Sequence, residues 1–142
     1  MKNILHANWF PRWNYQDIGP QLKNSLRDRK IDLMLGAGFH KKDKYDTNEI
    51  TGFGTKVNKK DLSSKSKKKL PIYGFFDTDN TEDDHIPYVH ERKENDVSLS
   101  EMALFAMDQL DNEKGYFLLV EAGRIDHAHH ENYPKRALEE TI

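Results

Sequence analysis

Three short apolar runs carry most of what this chain can bury: Ile31 to Leu35, interrupted only by Asp32, then Ile72 to Phe76, and Tyr116 to Val120. Near-continuous apolarity over about five residues, without alternation, is the pattern of parallel strands covered on both faces. Only 36% of the 142 residues are hydrophobic and 32% are charged, so a core must come from few segments while much of the chain stays in water. The pattern predicts an α/β fold.

Helix signals fall before, between and after these runs. Ser98-Leu99-Ser100-Glu101 is a capping box, and Leu99, Met102, Ala103, Phe105, Ala106 and Leu110 follow at three-to-four spacing, predicting a helix to about Asp111. An earlier helix over Ile18 to Asp28 would bury Ile18, Leu22 and Leu26, with Pro20 in its first turn. A third starts near Asp126 and runs through Tyr133, Ala137 and Leu138, restarting or kinking at Pro134. It breaks off at Glu140-Thr141-Ile142 without a C-cap, which reads as part of a longer chain.

Charge is distributed in blocks. Lys56 to Lys69 holds seven lysines and one aspartate, and Asp77 to Asp96 holds eight acids against Arg92 and Lys93. Both read as solvated insertions, with a partner-binding basic patch as the sharper alternative for the first. Overall, 22 Lys and Arg nearly balance 24 Asp and Glu, which argues against a dedicated nucleic-acid binder. No apolar run is long enough to cross a bilayer, and no signal peptide follows Met1. There is no cysteine, so a zinc ion would have to sit on histidine and carboxylate.

Chemistry concentrates between Phe117 and His130. The third apolar run delivers a carboxylate, Glu121, at its C-terminal end, where open α/β sheets place ligand sites. Directly after Phe-Leu-Leu-Val, that carboxylate must be solvated, paired or metal-bound, and Arg124 is a candidate partner. Asp126 and His130, four residues apart, project from one helix face about 6 Å apart at Cβ and can chelate one metal ion. Histidines 127, 129 and 130 beside Asp126 equally fit a polar helix start with Asp126 as the N-cap.

Here the sequence resembles a known family. Residues 117–131 are similar to the metal-binding segment of animal alkaline phosphatases, Phe-Leu-Leu-Val-Glu-Gly-Gly-Arg-Ile-Asp-His-Gly-His-His-Glu, departing at Ala122 and Ala128. Ile31 to Gly38 resembles the family's Ile-Asp-Val-Ile-Met-Gly-Gly-Gly, and Val97 to Met102 resembles its Pro-Ser-Leu-Ser-Glu-Met. Gly74-Phe75-Phe76-Asp77 stands where the family has Gly-Leu-Phe-Glu. The likeness runs from about Tyr15 to the end, weakest in residues 41–71 and 77–97. Residues 1–14 are of uncertain membership: Asn8-Trp9-Phe10 resembles the triplet after the family's phosphate-clamping arginine, but Ala7 stands in that arginine's place.

The resemblance implies part of a three-layer α/β/α sandwich with an incomplete sheet, and the hydrolysis of phosphate monoesters through a phosphoserine with two zinc ions and one magnesium. It places Asp126 and His130 as zinc ligands, Glu121 as a magnesium ligand and His127 behind them, and assigns His129 no role. It further places a structural calcium at Phe76, Asp77 and Asp96, where a solvated acidic loop is the alternative. The family's nucleophilic serine and its remaining zinc ligands fall outside the matched residues. A two-ligand zinc site binds weakly, so the 142 residues alone are expected to be inactive and to hold zinc no better than micromolar. A short non-catalytic product that binds a metal or a partner is the alternative. Family members are homodimers, extracellular or held on the membrane by a glycolipid.

Overall fold

The computed structural model describes residues 24–25, 27–37, 52–76 and 85–142. Its centre is a parallel sheet of three strands, β1 (Leu33–Ala37), β2 (Thr55–Lys56) and β3 (Ile72–Phe76), in the order β1-β3-β2. Leu33 pairs with Ile72 and Ala37 with Phe76, while Thr55 pairs with Ile72 on the other edge. Parallel pairing agrees with the apolar runs, and β3 has the predicted bounds. The first strand starts two residues later than its run, because Ile31 and Asp32 are buried ahead of the regular ladder, where the Asp32 carbonyl still accepts from the Ile72 N–H at 2.8 Å.

The α-helices lying wholly within the described residues are, in chain order, α1 (Lys59–Leu62, between β2 and β3), α2 (Leu99–Leu110), α3 (Gly123–His130) and α4 (Pro134–Thr141). Helix α2 starts at the predicted capping box, with the Glu101 N–H donating to Ser98 Oγ at 3.1 Å and the Ser98 N–H donating to Glu101 Oε2 at 2.7 Å. Its apolar face packs on the sheet. Leu33, Val57, Ile72, Phe76, Val97, Met102, Phe105, Ala106 and Leu110 form the main core. Of the helix expected over Ile18 to Asp28, Asn24, Ser25 and Arg27 are helical, and Ile18, Pro20, Leu22 and Leu26 lie outside the described residues.

Two expectations need correction. Residues 116–120 form no strand: Phe117 is 47% exposed, Val120 47% and Leu119 39%, and Leu118 packs against the main core. An apolar run becomes a strand only when a neighbour accepts its backbone groups, and no described strand lies beside it. The Lys-rich stretch, in turn, is more than a solvated insertion. It contains β2 and α1, sends Val57 into the core, and caps α1 by Asn58 and Asp61 in a second capping box. It is also tied to α2, where Gln109 Oε1 accepts from the Lys68 N–H at 2.7 Å and Gln109 Nε2 donates to the Ser66 carbonyl at 3.2 Å.

The last helix resolves at Pro134 as a break. Helix α3 ends at His130, Asn132 takes a left-handed backbone at φ 55°, and Pro134 occupies the first position of α4. The two helices form a hairpin with a small core of its own: Ala128, Ala137 and Tyr88. Tyr88 comes from the short 3-10 turn region, Val89–Glu91, that lies across the hairpin.

Candidate metal centre

Helix α3 carries the site. It begins three residues earlier than the sequence suggests, with Ala122 at the N-cap, so Asp126 sits inside the helix and is not its cap. Asp126 and His130 then lie one turn apart on one face, with Asp126 Oδ2 3.5 Å from His130 Nε2. Both side chains face solvent, Asp126 at 73% exposure and His130 at 79%. An ion binding one oxygen and one imidazole nitrogen at about 2.1 Å in tetrahedral geometry would hold them about 3.4 Å apart. The observed separation matches that distance.

Glu121 lies in the exposed turn before α3, close enough to the helix start that a Cβ at Gly123 would come to 3.9 Å from its Oε1. Its carboxylate thus sits beside the first turn of α3. His127 is half-buried, its Nδ1 accepting from Arg124 Nη1 at 3.2 Å and its ring 4.5 Å from that of His85. His129 is exposed. Among the described residues, no group of three or more His, Cys, Asp and Glu side chains converges to hold a metal. The helix therefore presents a two-donor edge.

Two of the residues expected around calcium are described. Phe76 is buried at the end of β3, Asp77 lies outside the described residues, and Asp96 is buried at 7% exposure. Asp96 Oδ2 accepts from the Lys93 N–H at 2.8 Å, and its carbonyl accepts from the Lys59 ammonium at 2.6 Å, which also reaches the Glu94 carbonyl. A cation belonging to the chain already sits on that turn.

Sequence reasoning missed the residues beneath α3. Tyr88, 2% exposed, lies with its ring between two guanidinium groups, Arg124 with Cζ at 3.8 Å from the centroid and Arg136 at 4.6 Å. Its hydroxyl is buried near the Glu131 carboxylate without meeting hydrogen-bond geometry, and burial raises its pKa above the ordinary phenol value. As the one aromatic residue between Asp77 and Asp96, Tyr88 was the available signal in the sequence.

The family model described as "Alkaline phosphatase" matches residues 41–142, more than half the chain and all of α3. The chain belongs to the alkaline phosphatase family. It is 36% identical over 154 aligned residues to the tissue-nonspecific alkaline phosphatase isozyme of Homo sapiens, covering 89% of this chain and 29% of that protein. It is 49% identical over 63 residues to the membrane-bound alkaline phosphatase of Bombyx mori, covering 43% of this chain and 12% of that one. Alkaline phosphatase 4 of Bacillus subtilis (strain 168) is 32% identical over 130 residues, with 84% of this chain and 27% of the relative covered. The chain thus spans less than a third of the length of these alkaline phosphatases. No solved structure matches it. Among the described residues, no helix is long and apolar enough to cross a membrane.

Proposed function

We propose that this chain supplies one wall of the metal centre of an alkaline phosphatase acting on phosphate monoesters. Asp126 and His130 are the ligands to one zinc, Glu121 is a ligand to magnesium, and His127 stands behind them. The observation that carries the reading is the 3.5 Å separation of Asp126 Oδ2 and His130 Nε2 on one face of α3, the bite that a shared zinc ion requires. When bound, the metals polarise the phosphoryl oxygens and activate the attacking oxygen. The chain's own contribution is orientation: α3 fixes two donors one turn apart, and Glu121 lies just ahead of the first turn of the same helix.

The three-stranded sheet is read as part of the larger α/β/α sandwich of the family, with Tyr116 to Val120 as a further strand once a neighbour lies beside it. Homodimerisation and an extracellular or glycolipid-anchored location go with the same reading; among the relatives, the Bombyx mori protein is named membrane-bound. A structural calcium at Phe76, Asp77 and Asp96 would share its turn with the Lys59 ammonium, so we expect it to bind weakly.

The test is to build these residues into a polypeptide of the family's full length and compare Asp126→Ala with His129→Ala. Asp126→Ala should lose zinc and most turnover, and His129→Ala should keep both. Unchanged zinc content in Asp126→Ala would show the ligand assignment to be wrong. The 142 residues expressed alone should hydrolyse no phosphate monoester at enzyme-like rates, since the reading assigns the nucleophile to none of their serines.

A further inference from the structure

The two proposed ligands meet each other one turn apart but do not anchor the helix that carries them to a core. Both point into solvent, α3 has no side-chain hydrogen bond at its N-cap Ala122, and its buried side chain is Ala128. Helix α4 likewise starts at Tyr133 without a side-chain cap. Eight-residue helices with so little of their own must be fixed from outside.

The fixing element is the Tyr88 ring. It lies at the centre of the small core with Ala128 and Ala137, one guanidinium from the start of α3 on it and one from the start of α4. Each arginine is tied down further. Arg124 donates to His127 Nδ1 at 3.2 Å, beside Asp126, while Arg136 donates to Glu91 at 2.6 Å and Glu131 at 2.9 Å and lies over the Tyr133 ring at 4.5 Å. The segment carrying Tyr88 is anchored to α4 independently, through the Val89 N–H to Glu140 Oε1 at 2.5 Å and Arg92 Nη2 to Glu140 Oε2 at 3.2 Å. A flat ring between two planar cations resists rotation of either helix about its axis.

We infer that Tyr88 is a positioning residue for the Asp126–His130 pair, acting through Arg124 and Arg136 to set the rotation of α3 and the order of its first turn. This rests on the metal reading of that pair. The ring does the work and the hydroxyl does not, because the hydroxyl, although near the Glu131 carboxylate, does not meet hydrogen-bond geometry there.

The test uses the 142-residue chain and zinc alone, with affinity read by calorimetry and the stack read by the ring-current shift of the Arg124 side-chain protons. Tyr88→Phe should keep both the zinc affinity and the shift. Tyr88→Leu should lose the shift and weaken zinc binding about tenfold or more. Arg124→Gln, which leaves the small core intact, should weaken zinc binding as well, and it decides the matter if Tyr88→Leu does not fold. Zinc affinity unchanged in Tyr88→Leu and Arg124→Gln, with Asp126→Asn weakened, would overturn the positioning role and leave the metal reading standing. Asp126→Asn binding zinc as the unaltered chain does would overturn the metal reading, and the positioning role with it.

Discussion

Gly74 shows how tightly a single position is held. It sits in the central strand β3, opposite Leu35, and a Cβ built there would lie 2.9 Å from both Val57 Cγ2 and Phe76 Cζ. All three neighbours of that face belong to the core or pack on it, so the glycine is a packing requirement and its torsion angles are secondary. Gly74→Ala should cost about 1–3 kcal/mol by overpacking, read as a lower urea midpoint at unchanged m-value. The same substitution at Gly36, where a Cβ meets nothing within 4 Å, serves as the control. The contrast explains why a glycine begins the Gly74-Phe75-Phe76 motif.

Elements differ in how much they can be read without their neighbours. Helix α2 was legible because its start is local: Ser98 and Glu101 satisfy each other's backbone N–H groups three residues apart. Those bonds, led by the one from the Ser98 N–H, hold the Glu101 carboxyl below its ordinary value of 4.5. A depressed carboxyl contributes stability that is complete above the ordinary value and lost as pH falls through the lower folded one. Glu101→Gln should therefore flatten the acid limb of thermal stability between pH 7 and pH 3 relative to the unaltered chain, a difference that a series of melting curves would show. Asp61, held down by the Lys68 ammonium and then by the Asn58 N–H, adds to the same acid loss. The capping box at Asn58 is equally local, but Val57 stands as a single apolar residue among lysines, and its burial depends on the sheet beside it. Residues 116–120 could not be read correctly by any local rule, since a strand is defined by the chain beside it. The candidate site divides the same way. Its donor pair is a matter of spacing within one helix, whereas the Tyr88 stack joins residues from three separate segments and leaves only a lone aromatic residue among the acids as its mark in the sequence.

For the whole molecule, the dominant feature is apolar surface left in water along Tyr116 to Val120, followed by Leu138 at 61% exposure. An exposed apolar segment outside the described sheet is a surface for association with another chain. The 142 residues should therefore associate with rising concentration in light scattering, and Leu119→Lys should shift that association to higher concentration without changing the helical circular dichroism. No shift would mean that the segment is not the adhesive surface. The Asp126–His130 edge has the opposite character. Its two donors are separated by one turn of backbone, so they come together as soon as α3 forms, with almost no loop to close. On the proposed metal reading, a cation could be captured there early and loosely, while the rest of the fold is still forming. In that order of events the ion acts first as a seed for its own site.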